Sequence, residues 1–423
     1  MNEFLTEDTM AIILLCGVMG QDHSEKPLSP AEYSSLVRWL MGVKMRPGDL
    51  LQQEHIAAAS VGTGINRQRL ESLLGRGVQL GFAVEEWQRN GIWVISRSDP
   101  DYPSRYKKHL GDKAPPLLYG VGDRKLLAGG GLAIVGSRNV DKDGENFARR
   151  TAELCAFNGM PVVSGGARGV DRLAMTAALD ADGVSIGVLV ENLLKNSVER
   201  SARHAIAAGK LLLLSPYHPN ARFTVGAAMS RNKLIYAMAD YGLVVSAEHG
   251  KGGTWAGAEE ELKRDKSLPV FVRVGNNTPL GNKKLLDLGA IAWPELTDIN
   301  NLSQQLFALS AKISEKNSQA ELSLFDFSKT PDAATTEPLP EASDTVRDAP
   351  SSPKPASTPE EPPDSIYRAV LPVILNKLER PVTIEQLAES LDVVKTQLNL
   401  WMKKAVDENK VVKLSGPARY KKS

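Results

Sequence analysis

The chain has 423 residues, 42% of them apolar and 24% charged, which excludes a wholly disordered polymer. Its 51 Lys+Arg against 50 Asp+Glu give a formal charge of +1, which excludes a bulk polycation. Any nucleic-acid binding must therefore come from local patches. Two cysteines and six histidines, with no CxxC or HExxH spacing, exclude a disulfide scaffold and predict no zinc site and no other cofactor.

The first apolar run, residues 10–19, is too short to span a bilayer. Glu3, Glu7 and Asp8 precede it where a signal peptide needs positive charge. It reads as a core helix, and the chain as cytoplasmic. Residues 66–80 place Leu70, Leu73, Leu74 and Val78 on one helical face. A short apolar run at 91–95 leads into a segment with Pro100, Pro103, Pro115 and Pro116, which reads as an ordered connector without regular secondary structure. Residues 1–120 are thus expected to form an N-terminal helical domain and connector.

From Gly131 the pattern changes. Short apolar runs at 132–135, 161–163, 184–190, 211–214, 243–245 and 270–274 alternate with amphipathic stretches at 146–158, 171–181, 198–208 and 255–264. This βαβ rhythm predicts an α/β domain over 121–315, with a Rossmann-like, doubly wound parallel sheet. Residues 316–364 follow as a Pro-rich, acidic stretch expected to be a disordered linker. Residues 365–423 carry the order helix, helix, helix, two-stranded hairpin, which predicts a winged helix-turn-helix with a net charge of +5 from eleven basic and six acidic residues. That charge suits either DNA or a protein partner.

In such a sheet, ligands bind beyond the carboxyl ends of the strands. The loops there hold Gly136-Ser137-Arg138, then Ser164-Gly165-Gly166-Ala167-Arg168-Gly169, then Arg231-Asn232-Lys233, then Lys251-Gly252-Gly253-Thr254. Glycine admits close backbone approach, helix N-termini offer N–H groups to anions, and each loop adds a cation. The pattern predicts a ligand bearing phosphate. Neither a Walker A loop nor a GxGxxG fingerprint is present, which argues against P-loop NTPases and dinucleotide enzymes. Asp171 reads as a helix cap. Trp87, Trp93, Trp255 and Trp401 read as core, and His204, His218 and His249 show no triad pattern.

The ordered set GSR, SGGARGVD, RNK and KGGTWAGA, preceded by WVISRSDPDYPSRYKKHL and APPLLYGVGD, resembles the DNA-processing protein A (DprA, or Smf) family over roughly residues 60–295. The resemblance implies a non-enzymatic protein that binds single-stranded DNA on the Rossmann-like domain, forms a homodimer and hands DNA to the recombinase RecA. It carries phosphate binding onto Arg138 and Lys233 above all. The chain departs from the family pattern at Ala174-Met175, at Val244-Val245-Ser246-Ala247 and in FTVGAAMSRNK, which suggests a divergent branch serving transformation, repair or defence. Gly252-Gly253-Thr254 with Glu259 also partly resembles the GGxGTxxE motif of lysine-decarboxylase-like nucleotide phosphoribohydrolases, which would make the chain an enzyme. Finally, Glu321-Leu322-Ser323-Leu324-Phe325 resembles a sliding-clamp docking peptide, with Leu322, Leu324 and Phe325 as its anchors. The same side chains could instead pack on the body.

Overall fold

The computed structural model describes residues 5–19, 25–265, 267–295, 299–311, 366–378, 380–391, 398, 401–402, 405–406, 408, 410–414 and 419–422. The Pro-rich stretch and the peptide 321–325 lie outside the described residues.

The first apolar run forms α1 (Glu7–Cys16), with Ile12, Ile13 and Leu15 fully buried. Thr6 caps it by accepting a hydrogen bond from the Thr9 N–H. Helices α2 (Pro30–Gly42), α3 (Gln53–Thr63), α4 (Arg67–Leu74) and α5 (Gly77–Arg89) follow. The face expected to be one helix over 66–80 is split between α4 and α5 at Gly75-Arg76. Leu70, Leu73 and Val78 are buried all the same.

The Pro-bearing connector is more regular than its composition predicts. Strand β1 (Trp93–Ser96) pairs antiparallel with β2 (Leu117–Val121), and α6 (Ser104–Leu110) lies between them. The prolines fall outside these elements, at positions where a missing N–H breaks no ladder. β2 then pairs antiparallel with β6 (Leu211–Ser215). The sheet therefore reaches into residues expected to be irregular.

The rest of the sheet is parallel, from β3 (Leu132–Gly136), β4 (Val162–Ser164), β5 (Ser185–Val188) and β6 to β7 (Tyr241–Ser246), β8 (Val270–Val272) and β9 (Ile291–Ala292). The full order is β1-β2-β6-β5-β4-β3-β7-β8-β9. Helices α7 (Lys142–Phe157), α8 (Val170–Asp180), α9 (Leu193–Val198), α10 (Arg200–Ala207), α11 (Val225–Met238), α12 (Gly252–Leu262) and α13 (Leu280–Asp287) make the crossovers. The helix expected at 198–208 is α10, and a separate short helix, α9, precedes it, ending at Glu199. Residues 302–311 form α14.

The period-2 alternation of buried strands sorts the core. Leu132 and Ile134 of β3 pack under α7 and α8, while Ala133 and Val135 pack on the opposite face with α11 and α12. A third cluster joins α1–α5 to the sheet through Leu117, Tyr119, Leu211 and Leu213.

At the C-terminal end, α15 (Ile366–Lys377) and α16 (Ile384–Leu391) accompany a sheet of order β10-β12-β11, built from Val382–Thr383, Arg419–Lys422 and Val411–Leu414. Residues 398, 401, 402, 405 and 406 are helical. Trp401 stacks on Phe82 of α5, with ring centroids 4.2 Å apart and planes inclined by 23°. All four tryptophans read as core are wholly or partly buried, Trp93 the least.

Candidate nucleic-acid interface

The winding of the sheet reverses at β3, whose neighbours β4 and β7 lead off in opposite directions. Such a switch point opens a crevice at the strand carboxyl ends. Two cavities lie there, of about 580 and 410 Å3. Both are lined by Arg138, Ala167, Phe223 and Arg231, so they form one cleft. Gly136, Ser137, Gly165, Gly166, Arg168, Asn232, Lys251, Gly252, Gly253 and Thr254 also line it. The structure thus brings most of the four sequence loops together.

Arg138, Arg168 and Lys251 are exposed. The Arg138 guanidinium sits 5.3 Å from the centroid of the Phe223 ring. Arg168 donates to the Asn139 side-chain oxygen at 3.0 Å, which ties the second loop to the first. Asn232 donates to the Gly253 carbonyl at 2.8 Å and fixes the start of α12.

Three of the expected ligand-binding residues, Ser164, Gly169 and Lys233, line neither cavity, and Arg231 lines both with its guanidinium already engaged. Arg231 is 5% exposed; its Nη1 donates to the carbonyls of Gly165 (2.6 Å) and Val188, so its guanidinium braces the loops after β4 and β5. Its Nε has no partner among the described residues. Gly165 is required by that brace, because a Cβ there would stand 2.1 Å from Arg231 Nη1. Ser164 is fully buried and donates to the Ile134 carbonyl at 2.6 Å, holding β4 to β3. Lys233 lines neither cavity. Successive helical residues point about 100° apart, so Arg231 and Lys233 cannot both face the cleft. Gly169 has φ +91°, and a Cβ there would meet the Ser137 carbonyl at 2.4 Å, so it serves chain geometry.

Asp171 is not the cap of α8; Gly169 holds that position. Its carboxylate is buried close to the backbone N–H groups of Gly136, Gly165 and Ala167. Burial pushes its pKa up to about 6, against the pull of the Arg231 charge and those three donors. The carboxylate therefore balances the buried guanidinium.

Sequence reasoning missed Phe223, Arg172, Lys195 and Glu191, all of which line the larger cavity. Arg172 lies in the first turn of α8, directly after the loop that carries Arg168, a position that could have flagged it. The others stand in loops or a short helix where sequence spacing says nothing about direction. Glu259, the acid of the phosphoribohydrolase-like match, accepts from Lys263 Nζ at 2.8 Å and from Trp255 Nε1 at 3.0 Å. It is engaged within its own helix. No cluster of metal-ligating side chains occurs among the described residues, and no described helix is long and apolar enough to cross a membrane.

A family model described as DNA recombination-mediator protein A matches residues 93–306, from the first residue of β1 into α14. The chain belongs to that family. Protein Smf of Synechocystis sp. is 30% identical over 216 residues, covering 49% of this chain and 54% of that protein. Protein Smf of Escherichia coli K12 is 33% identical over 192 residues, covering 44% and 50%. The chain spans about half the length of the curated relatives it matches. The crystal structure of DNA processing protein A from Streptococcus pneumoniae has the same fold, with a TM-score of 0.53 and 20% identity over 69% of this chain and 95% of that one. The segment that matches the recombination-mediator family takes in the whole of the cleft.

Proposed function

We propose that this chain is a non-enzymatic, single-stranded DNA-binding protein of DNA processing and recombination. The observation that carries the reading is the cleft itself. Exposed Arg138, Arg168, Arg172, Lys195 and Lys251 stand around an exposed Phe223 ring at the switch point. Cations that track a backbone and an aromatic face that takes bases are the two parts of a single-strand site. A duplex keeps its bases stacked inside and cannot use the ring. Membership of a family described as a recombination mediator supports the same reading.

The reading extends to partners. The chain protects single strands, acts as a homodimer and passes the strand to the recombinase RecA. Residues 365–423 form a winged helix that adds a second docking site, and 321–325 is a tether to the sliding clamp. Residues 1–120, 121–315, 316–364 and 365–423 are the corresponding units, and the cytoplasm is the compartment.

The test is fluorescence anisotropy with labelled single-stranded and duplex oligonucleotides across a salt series. Arg138→Ala and Arg168→Ala should each weaken single-strand binding and flatten the salt slope by about 0.7 for each phosphate no longer neutralised. Lys233→Ala should change little. Equal affinity for duplex, or binding indifferent to both arginine substitutions, would refute the assignment. For the tether, a clamp pull-down unchanged by Leu324→Ala with Phe325→Ala would remove it.

A further inference from the structure

Four carboxylates line the cleft: Glu191 and Glu199 in the larger cavity, and in the smaller one Asp171, buried beside Arg231, and Glu248, which accepts from Lys251 Nζ at 3.3 Å. Glu191 follows β5 and lines the larger cavity together with Arg138, Arg168, Arg172 and Phe223. A carboxylate among phosphate-binding cations repels the backbone it would meet, so it must face something that donates. Its position is held from two sides. Asn192 adopts the left-handed region at φ 49° and donates its N–H to the Ala221 carbonyl at 2.9 Å, tying this loop to the one that bears Phe223. The Asn192 amide also donates to Glu191 Oε2 at 3.0 Å. Glu191 Oε1 has no hydrogen-bond partner among the described residues.

We infer that Glu191 selects the base, and that the base is guanine. The inference rests on the single-strand reading above. Single-stranded bases are read on their Watson–Crick edges. On that edge only guanine sets two adjacent donors, N1–H and the N2 amino group, side by side to match a carboxylate. Adenine and cytosine place a ring acceptor next to their one amino group, and thymine flanks its N3–H with two carbonyls. A guanine stacked on Phe223 would keep its phosphates near Arg138 and Arg168 and turn its donor edge towards Glu191.

The test uses the full chain and short single strands of thymine carrying interspersed guanine, adenine, cytosine or hypoxanthine. The expected result is a preference of about tenfold for guanine over the other bases. Hypoxanthine, which lacks the N2 amino group, should lose most of it. In Glu191→Gln the preference should collapse towards one, while affinity for strands without guanine rises through the lost negative charge. Equal binding of all sequences by the unaltered chain would overturn the inference and leave single-strand binding standing. So would an undiminished guanine preference in Glu191→Gln, or retention of the full preference by hypoxanthine. If no strand binds even at low salt, the single-strand reading itself falls. The hypoxanthine arm needs no variant, so it decides the matter even if Glu191→Gln folds poorly.

Discussion

Asp171 shows how a buried group can tune an exposed one. Its folded pKa of about 6 lies above the ordinary aspartate value of 3.8. Between those values the native state binds a proton that the unfolded chain does not. The stability this contributes is fully present below about 3.8 and is lost as pH rises through about 6. The same proton removes a negative charge beside Arg231, at the floor of the cleft. Single-strand affinity should rise as pH falls from about 7 to about 5, and Asp171→Asn should flatten that rise. Anisotropy titrations at fixed ionic strength would check it, and an identical pH profile in the variant would contradict it. Phe223 makes a second prediction at this scale. Removing one base-stacking ring forfeits about 1–3 kcal/mol, so Phe223→Ala should weaken single-strand binding roughly tenfold or more. Thermal unfolding should barely move, because the ring is 39% exposed.

The elements divide into those the sequence announces and those it hides. Substituting Gly165→Ala should destabilise the fold by about 1–3 kcal/mol, since the added methyl group displaces the Arg231 brace. Denaturant unfolding would measure it, and loss of DNA binding should accompany it. The central parallel strands were legible because strands buried on both faces read as short apolar runs. β1 and β2 were partly obscured by four prolines that frame them without entering them. The two-residue β9 is too short to leave a pattern. The loops of the cleft were legible through glycines and cations at strand ends. Their directions were not, because a helix such as α11 presents adjacent residues to different surroundings. Arg231 therefore lines the cleft while bracing its loops, and Lys233 lines neither cavity. Phe223, Lys195 and Glu191 enter the cleft through backbone paths that no local spacing encodes.

At the scale of the molecule, the N-terminal helices and the sheet share one core. Tyr119 of β2 and Leu211 and Leu213 of β6 pack in the same cluster as Ile12, Leu36, Leu73 and Trp87. Deleting residues 1–92 should therefore uncover a broad apolar face and yield aggregated protein, even though it spares the segment the family model matches. Size-exclusion chromatography of the shortened chain would show it, and a monodisperse, folded fragment would refute it. The Phe82–Trp401 stack links a third unit to the same helices. Phe82→Ala should leave the sheet intact and speed proteolytic release of residues 365–423, which a timed digest would follow.

The stitching of β1 and β2 onto β6 also constrains inheritance. A crossover at Trp93, where the family match begins, would pair one parent's helices with another parent's strands inside a single packed interior. Large interior side chains from different lineages seldom interlock. Residues 5–92 and 93–311 should therefore travel through evolution as one block, and chimaeras of relatives joined at Trp93 should fail where whole-block exchanges succeed.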